Sequence, residues 1–132
     1  MDIFKTYQFD YGDYTSYVND RKATIGMEAE YAKGQFSTEP SYQHWLSFYG
    51  GQSGVIRFEF HQPDQPNLLI LSDSQGLPIR KLLASHFNRT IYLDDQQTST
   101  LDLNQVIADN DIDVVVFLGQ ISQFERFNGS GT

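Results

Sequence analysis

The chain has 132 residues, 39% hydrophobic and 14% aromatic, with a formal net charge of −8 and no cysteine. That suffices for one domain with a buried core but not for two, and it excludes a disordered chain. The acidic balance argues against nucleic-acid and anionic-membrane partners, which need a basic patch, and the lack of cysteine excludes disulfides, thiolate metal sites and a cysteine nucleophile.

No apolar run approaches the length of a membrane span. Asp2, Lys5 and Asp10 interrupt the opening where a signal peptide would be apolar. Composition leaves the compartment undecided. Gly129-Ser130-Gly131-Thr132 reads as a flexible tail or cloning remnant. A strand-like segment begins almost at Met1, so the chain reads as a piece of a longer protein. The expected division is a single α/β domain over 1–128, made of an N-terminal part (1–60) and a βαβαβ core (61–128), with 129–132 as the tail.

In chain order, residues 4–11 alternate bulky and polar side chains and predict a strand, closed by a turn at Gly12-Asp13. Tyr14, Tyr17 and Val18 have helical spacing, and residues 25–31 fit strand or helix. Ser37-Thr38-Glu39-Pro40 predicts a helix start, continued by Tyr42, Trp45, Leu46 and Tyr49 on one face and ended by Gly50-Gly51. Residues 55–60 alternate and predict a strand.

The second half is more regular. Residues 68–71 are four consecutive apolar positions, the pattern of a strand buried on both faces in a parallel sheet. A small polar segment follows, Ser72-Asp73-Ser74-Gln75-Gly76, and then a helix over about 78–87. A short strand at 90–93, a helix over 102–110 with Leu103, Val106 and Ile107 inward, and a strand over 113–118 complete two βαβ units. The fold class expected from this order is α/β: a three-layer, mostly parallel sheet with helices on both faces.

The polar segment at 72–76 sits where open α/β sheets place their sites, at the carboxyl edge beside a helix start. A serine nucleophile needs a fixed, exposed hydroxyl, a base and donors for the oxyanion. Ser74 is the candidate nucleophile, and the N–H groups of Ser74 and Gln75 are candidate donors. The same residues also serve as ordinary helix caps. The base is harder to find. The histidines are His44, His61 and His86; His86 lies about three turns beyond Ser74, too far along a helix rising ~1.5 Å per residue. His44 is left as the candidate base. Asp94-Asp95 could bind a cation at the same edge but reads as a solvated loop cap, and no metal or cofactor is expected. Tyr42, Trp45, Phe48 and Tyr49 could line a sugar groove, although their helical spacing is that of a core face. No Gly-rich phosphate loop is present.

Taken in order, Leu68-Leu69-Ile70-Leu71-Ser72-Asp73-Ser74-Gln75-Gly76, Leu83-Ala84-Ser85-His86-Phe87, Thr90-Ile91-Tyr92-Leu93-Asp94 and the strand ending in Val116-Phe117-Leu118 resemble the C-terminal part of the SGNH/GDSL hydrolase superfamily. The branch resembled is the DHHW type related to alginate O-acetyltransferases. The resemblance covers about residues 67–124. It implies Ser74 as nucleophile, with Asp73 as its motif partner and Gln75 and Gly76 as oxyanion or support residues. It further implies an SGNH- or flavodoxin-like partial domain, a serine esterase or O-acetyltransferase acting on acetyl or other acyl esters of carbohydrate, and an extracytoplasmic, cell-envelope setting. Two departures stand out. Ser72 occupies the position of the motif glycine, and the branch's Asp/His-bearing DHHW motif, which precedes its serine, has no counterpart here beyond His44-Trp45. The alternatives are a non-catalytic binding or scaffold domain, or a flavodoxin-like ligand-binding domain in which Asp73, Asp94 and Asp95 converge on a metal.

Overall fold

Strand β4 (Leu68–Ser72) lies between two parallel neighbours, and all five of its residues are buried. This is the arrangement that an uninterrupted apolar run calls for. The computed structural model describes residues 9–26, 48–50, 54–94 and 100–119, and for Ser74 the backbone alone. The other elements are β1 (Thr15–Val18), β2 (Arg21–Lys22), β3 (Ile56–Glu59), helix α1 (Arg80–Ala84), β5 (Arg89–Asp94), helix α2 (Leu103–Asp109) and β6 (Val114–Leu118). The strands form one sheet in the order β2-β1-β3-β5-β4-β6.

This arrangement corrects the expected fold class. Among the described residues the sheet is mixed: β5, β4 and β6 are parallel, whereas β1, β2 and β3 pair antiparallel and β3 meets β5 antiparallel. The two α-helices that lie wholly among the described residues have 5 and 7 residues, too short to form the outer layers of a three-layer sandwich. The helical spacing of Tyr14, Tyr17 and Val18 was misleading for a local reason. Asn19 and Asp20 both take left-handed backbone, with φ of 49° and 65°. Between the paired residues Val18 and Arg21 they make the two-residue turn whose twist suits a hairpin. The predicted helix over 78–87 is also shorter than expected. The N–H groups of His86 and Phe87 turn back three residues, to the carbonyls of Leu83 and Ala84. Gln62 Nε2 then donates to the carbonyls of Ser85 and Phe87, which satisfies the helix end.

The predicted helix over 102–110 is present. Asp102 caps it, accepting from the N–H groups of Asn104 and Gln105 at 3.0 and 3.4 Å. Two apolar clusters pack on the sheet. The first joins Ile56, Phe58, Leu68, Ile70, Leu77, Ala84 and Tyr92, and the second joins Leu69, Leu71, Ile91 and Leu93, with Leu103, Val106 and Ile107 of α2 against it. Successive β4 residues divide between the two, as the pleat requires. Each fully buried Leu or Ile contributes about 1.5–3 kcal/mol. On the second face, away from α2, β1 and β3 carry polar groups instead: Arg57 lies 4.2 Å from the Tyr17 ring centre, and Glu59 accepts from Arg89 Nε at 2.7 Å. Among the described residues strand β6 is an edge, with Val115 50% exposed.

Asn67 fastens the start of the parallel strands. Its side-chain nitrogen donates to the carbonyls of Asn110 and Asp111, and its side-chain oxygen accepts from Asn88 Nδ2 and the Arg89 N–H. Phe48 and Tyr49 are helical and Gly50 follows with φ of 81°, a left-handed helix exit. Residues 4–8, Tyr42, His44, Trp45 and Gly51 lie outside the described residues, as do Asp95 and the tail.

Candidate active-site turn

Beyond Ser72 the chain leaves the sheet at Asp73, whose N–H still donates to the carbonyl of Leu118 in β6 at 3.3 Å. A single 3-10 turn follows, Ser74–Gly76. The Asp73 carbonyl holds the turn in place. It accepts from the Ser72 hydroxyl at 2.6 Å, from the Gly76 N–H at 3.2 Å and from the Tyr92 hydroxyl at 3.3 Å. Ser72 and Tyr92 are both buried, and they lie on one face because Tyr92 is opposite Ile70, two residues before Ser72.

The Asp73 carboxylate turns back on the same loop, accepting from the Gln75 N–H at 2.9 Å. Its other oxygen lies against the end of β6, where a Cβ on Gly119 would come within 3.0 Å. Position 76 has no room for a side chain, since a Cβ there would meet the Ser72 hydroxyl oxygen at 1.9 Å. The Ser72 side chain therefore fills the space that a side chain at position 76 would need.

The backbone of Ser74 thus opens the turn at the carboxyl end of β4, beside Asp73, Gln75 and Gly76. Asp94, in register with Ser72, ends β5 at this edge and is 1% exposed, so it is no solvated cap. His61 and His86 are elsewhere. His61 follows β3 and His86 precedes β5, both at the edge where the parallel strands begin. The length of β5 separates them from the turn, roughly 16 Å at ~3.3 Å per residue. His44 lies outside the described residues. Among the described residues no group of three or more His, Asp or Glu could hold a metal ion, and no helix is long and apolar enough to cross a membrane. Phe48 is buried with its ring 4.7 Å from that of Tyr49, which gives it a packing role.

Sequence reasoning passed over Ser72, Tyr92 and Gly119 as site residues. The available signals were the period-two pattern of β5, which puts Tyr92 and Asp94 on one face, and a glycine ending β6.

No family model and no curated protein matches the sequence. Solved structures do. Bacillus cereus PatB1 with a sulfonyl adduct superposes with a TM-score of 0.66 at 23% identity, over 85% of this chain and 38% of that one. PatB1 in a second structure gives 0.64 at 25% identity, over 85% and 37%. A DHHW family protein from Eubacterium siraeum gives 0.58 at 24% identity, over 90% and 39%. The chain has the fold of part of these proteins and spans less than two fifths of their length.

Proposed function

We propose that this chain is the serine-bearing part of an acyl-transfer domain of the SGNH/GDSL type, acting on an acyl, above all acetyl, ester of a carbohydrate. The observation that carries the reading is the place of Ser74, on the first residue of a tight turn directly beyond a buried parallel strand. The fold shared with PatB1 supports it, and so does the sulfonyl adduct in one PatB1 structure, since such adducts form on nucleophilic side chains.

In the proposed reaction the Ser74 oxygen bonds to the acyl carbon while its proton passes to a base. The oxyanion collapses, the bond to the sugar oxygen breaks, and that oxygen leaves with the proton. The acyl group then passes to water in an esterase, or to a second hydroxyl in a transferase. The backbone N–H of Ser74 holds the oxyanion, since those of Gln75 and Gly76 donate to Asp73. The base is His44 or a histidine of a longer parent protein, because His61 and His86 stand at the opposite edge of the sheet. That same observation favours, as a second reading, a binding or scaffold domain that keeps the framework without chemistry.

Fluorophosphonate labelling followed by mass spectrometry tests the proposal. The expected outcome is slow phosphonylation at Ser74, faster when imidazole is added as an external base and absent in Ser74→Ala. Labelling with no preference for Ser74 over the other serines overturns it in favour of the scaffold reading.

A further inference from the structure

We infer that Tyr92 and Arg80 are positioning residues that set the peptide plane between Asp73 and Ser74 and so aim the Ser74 N–H at the oxyanion. The inference rests on the reading of Ser74 as the nucleophile. A trans peptide is planar, with its C=O and N–H pointing in opposite directions, and no cis bond occurs among the described residues. Whatever holds the Asp73 carbonyl on one side therefore directs the Ser74 N–H to the other. Three donors hold that carbonyl, and two of them, the Ser72 hydroxyl and the Gly76 N–H, belong to the turn itself. Tyr92 supplies the third from β5, 19 residues away in sequence. It ties the turn to the centre of the sheet.

The Tyr92 ring is itself held. It is 1% exposed, and the guanidinium carbon of Arg80 stands 4.8 Å from its centre. Arg80, also 1% exposed, donates from Nη2 to the Tyr49 carbonyl at 2.9 Å. Gly50 closes on that nitrogen so tightly that a Cβ would lie 3.0 Å from it. A continuous set of contacts thus runs from residues 49–50 through Arg80 and Tyr92 to the Asp73–Ser74 peptide. Catalytic groups must be held to within about 0.5 Å of the productive geometry, and a three-residue 3-10 turn has little stiffness of its own.

The experiment compares the wild-type chain with Tyr92→Phe and Arg80→Lys, well below their melting temperatures. It reads two quantities: amide exchange of Gly76, which shares the Asp73 carbonyl, and the rate of fluorophosphonate labelling at Ser74 with imidazole present. In the labelling step the serine oxygen–phosphorus bond forms, fluoride leaves and the proton goes to imidazole. Loss of the Tyr92 hydroxyl is expected to speed Gly76 exchange about three- to tenfold, the size of one hydrogen bond, with the amides of β4 moving less. Labelling is expected to slow by a similar factor. Arg80→Lys, which keeps the charge but loses the planar stack, is expected to show a smaller effect of the same sign. A role limited to stability would lower the melting temperature and leave Gly76 exchange relative to β4 unchanged, and that result overturns the inference. Labelling that proceeds equally fast in the wild type and Tyr92→Phe also overturns it, while the nucleophile reading stands. If the wild type takes no label yet Gly76 exchange rises in Tyr92→Phe, the positioning of the turn is upheld and the nucleophile reading falls.

Discussion

Replacing Gly76 by alanine would bring a Cβ to 1.9 Å from the Ser72 hydroxyl oxygen and 2.9 Å from the Ser72 Cβ. Neither atom has an easy retreat. Ser72 is fully buried in β4, and its hydroxyl is committed to the Asp73 carbonyl at 2.6 Å. Overpacking costs about 1–3 kcal/mol, and displacing the hydroxyl removes a hydrogen bond of about 1 kcal/mol, so Gly76→Ala is expected to destabilise by about 2–4 kcal/mol. Ser72→Gly alone loses the bond and loosens the strand, for about 1–2 kcal/mol. The double variant removes both clashing atoms and leaves Leu118 Cβ at 3.5 Å, an ordinary contact. Gly76 lies outside the positive-φ glycines, so alanine suits its backbone and returns about 0.4–1 kcal/mol through the unfolded chain. The double variant is therefore expected to be no less stable than Ser72→Gly alone, with a coupling of about 2–4 kcal/mol. Urea unfolding of the four proteins, followed by far-UV circular dichroism, measures it. Additivity within about 0.5 kcal/mol would refute the steric account of the turn.

Two further outcomes are expected. Asn67→Ala removes four side-chain hydrogen bonds that join the starts of β4, β5 and β6; it should cost about 2–3 kcal/mol and lower the urea midpoint without changing the slope. Asp20→Gly relieves a left-handed φ of 65° and gives up only a 3.9 Å ion pair whose aspartate is 93% exposed; a gain of about 0.5–1 kcal/mol in thermal unfolding is expected.

The second half of the chain was legible because its signals are local. An apolar run defines β4, Asp102 caps α2 through its own side chain, and Gly119 follows β6. The first half was not, because the deciding contacts are distant. Tyr14, Tyr17 and Val18 satisfy helical spacing equally well, and what selects strand is pairing with β3, some forty residues away, together with the left-handed pair Asn19-Asp20. The sheet's mixed character has the same origin. Residues 56–59 alternate as a strand should, yet nothing within them says that they run against β5.

At the site, the turn was legible and its support was not. Four residues of β4 and a polar segment suffice to place Ser74. The fit of Ser72 beside Gly76, the reach of the Tyr92 hydroxyl and the seat of the Asp73 carboxylate against Gly119 all depend on strand register. A further contact of the Asp73 carboxylate bears directly on the proposed chemistry. Of the two donors read from the sequence, the Gln75 N–H is engaged by Asp73 Oδ1, so an oxyanion would have to displace a carboxylate from it. That puts the weight on the Ser74 N–H. Loss of one oxyanion donor typically costs about 10²–10³ in rate. In a site that leaned on one turn amide, the tilt of a single peptide plane would matter, and one of the three donors on the Asp73 carbonyl, the Tyr92 hydroxyl, comes from β5 and not from the turn.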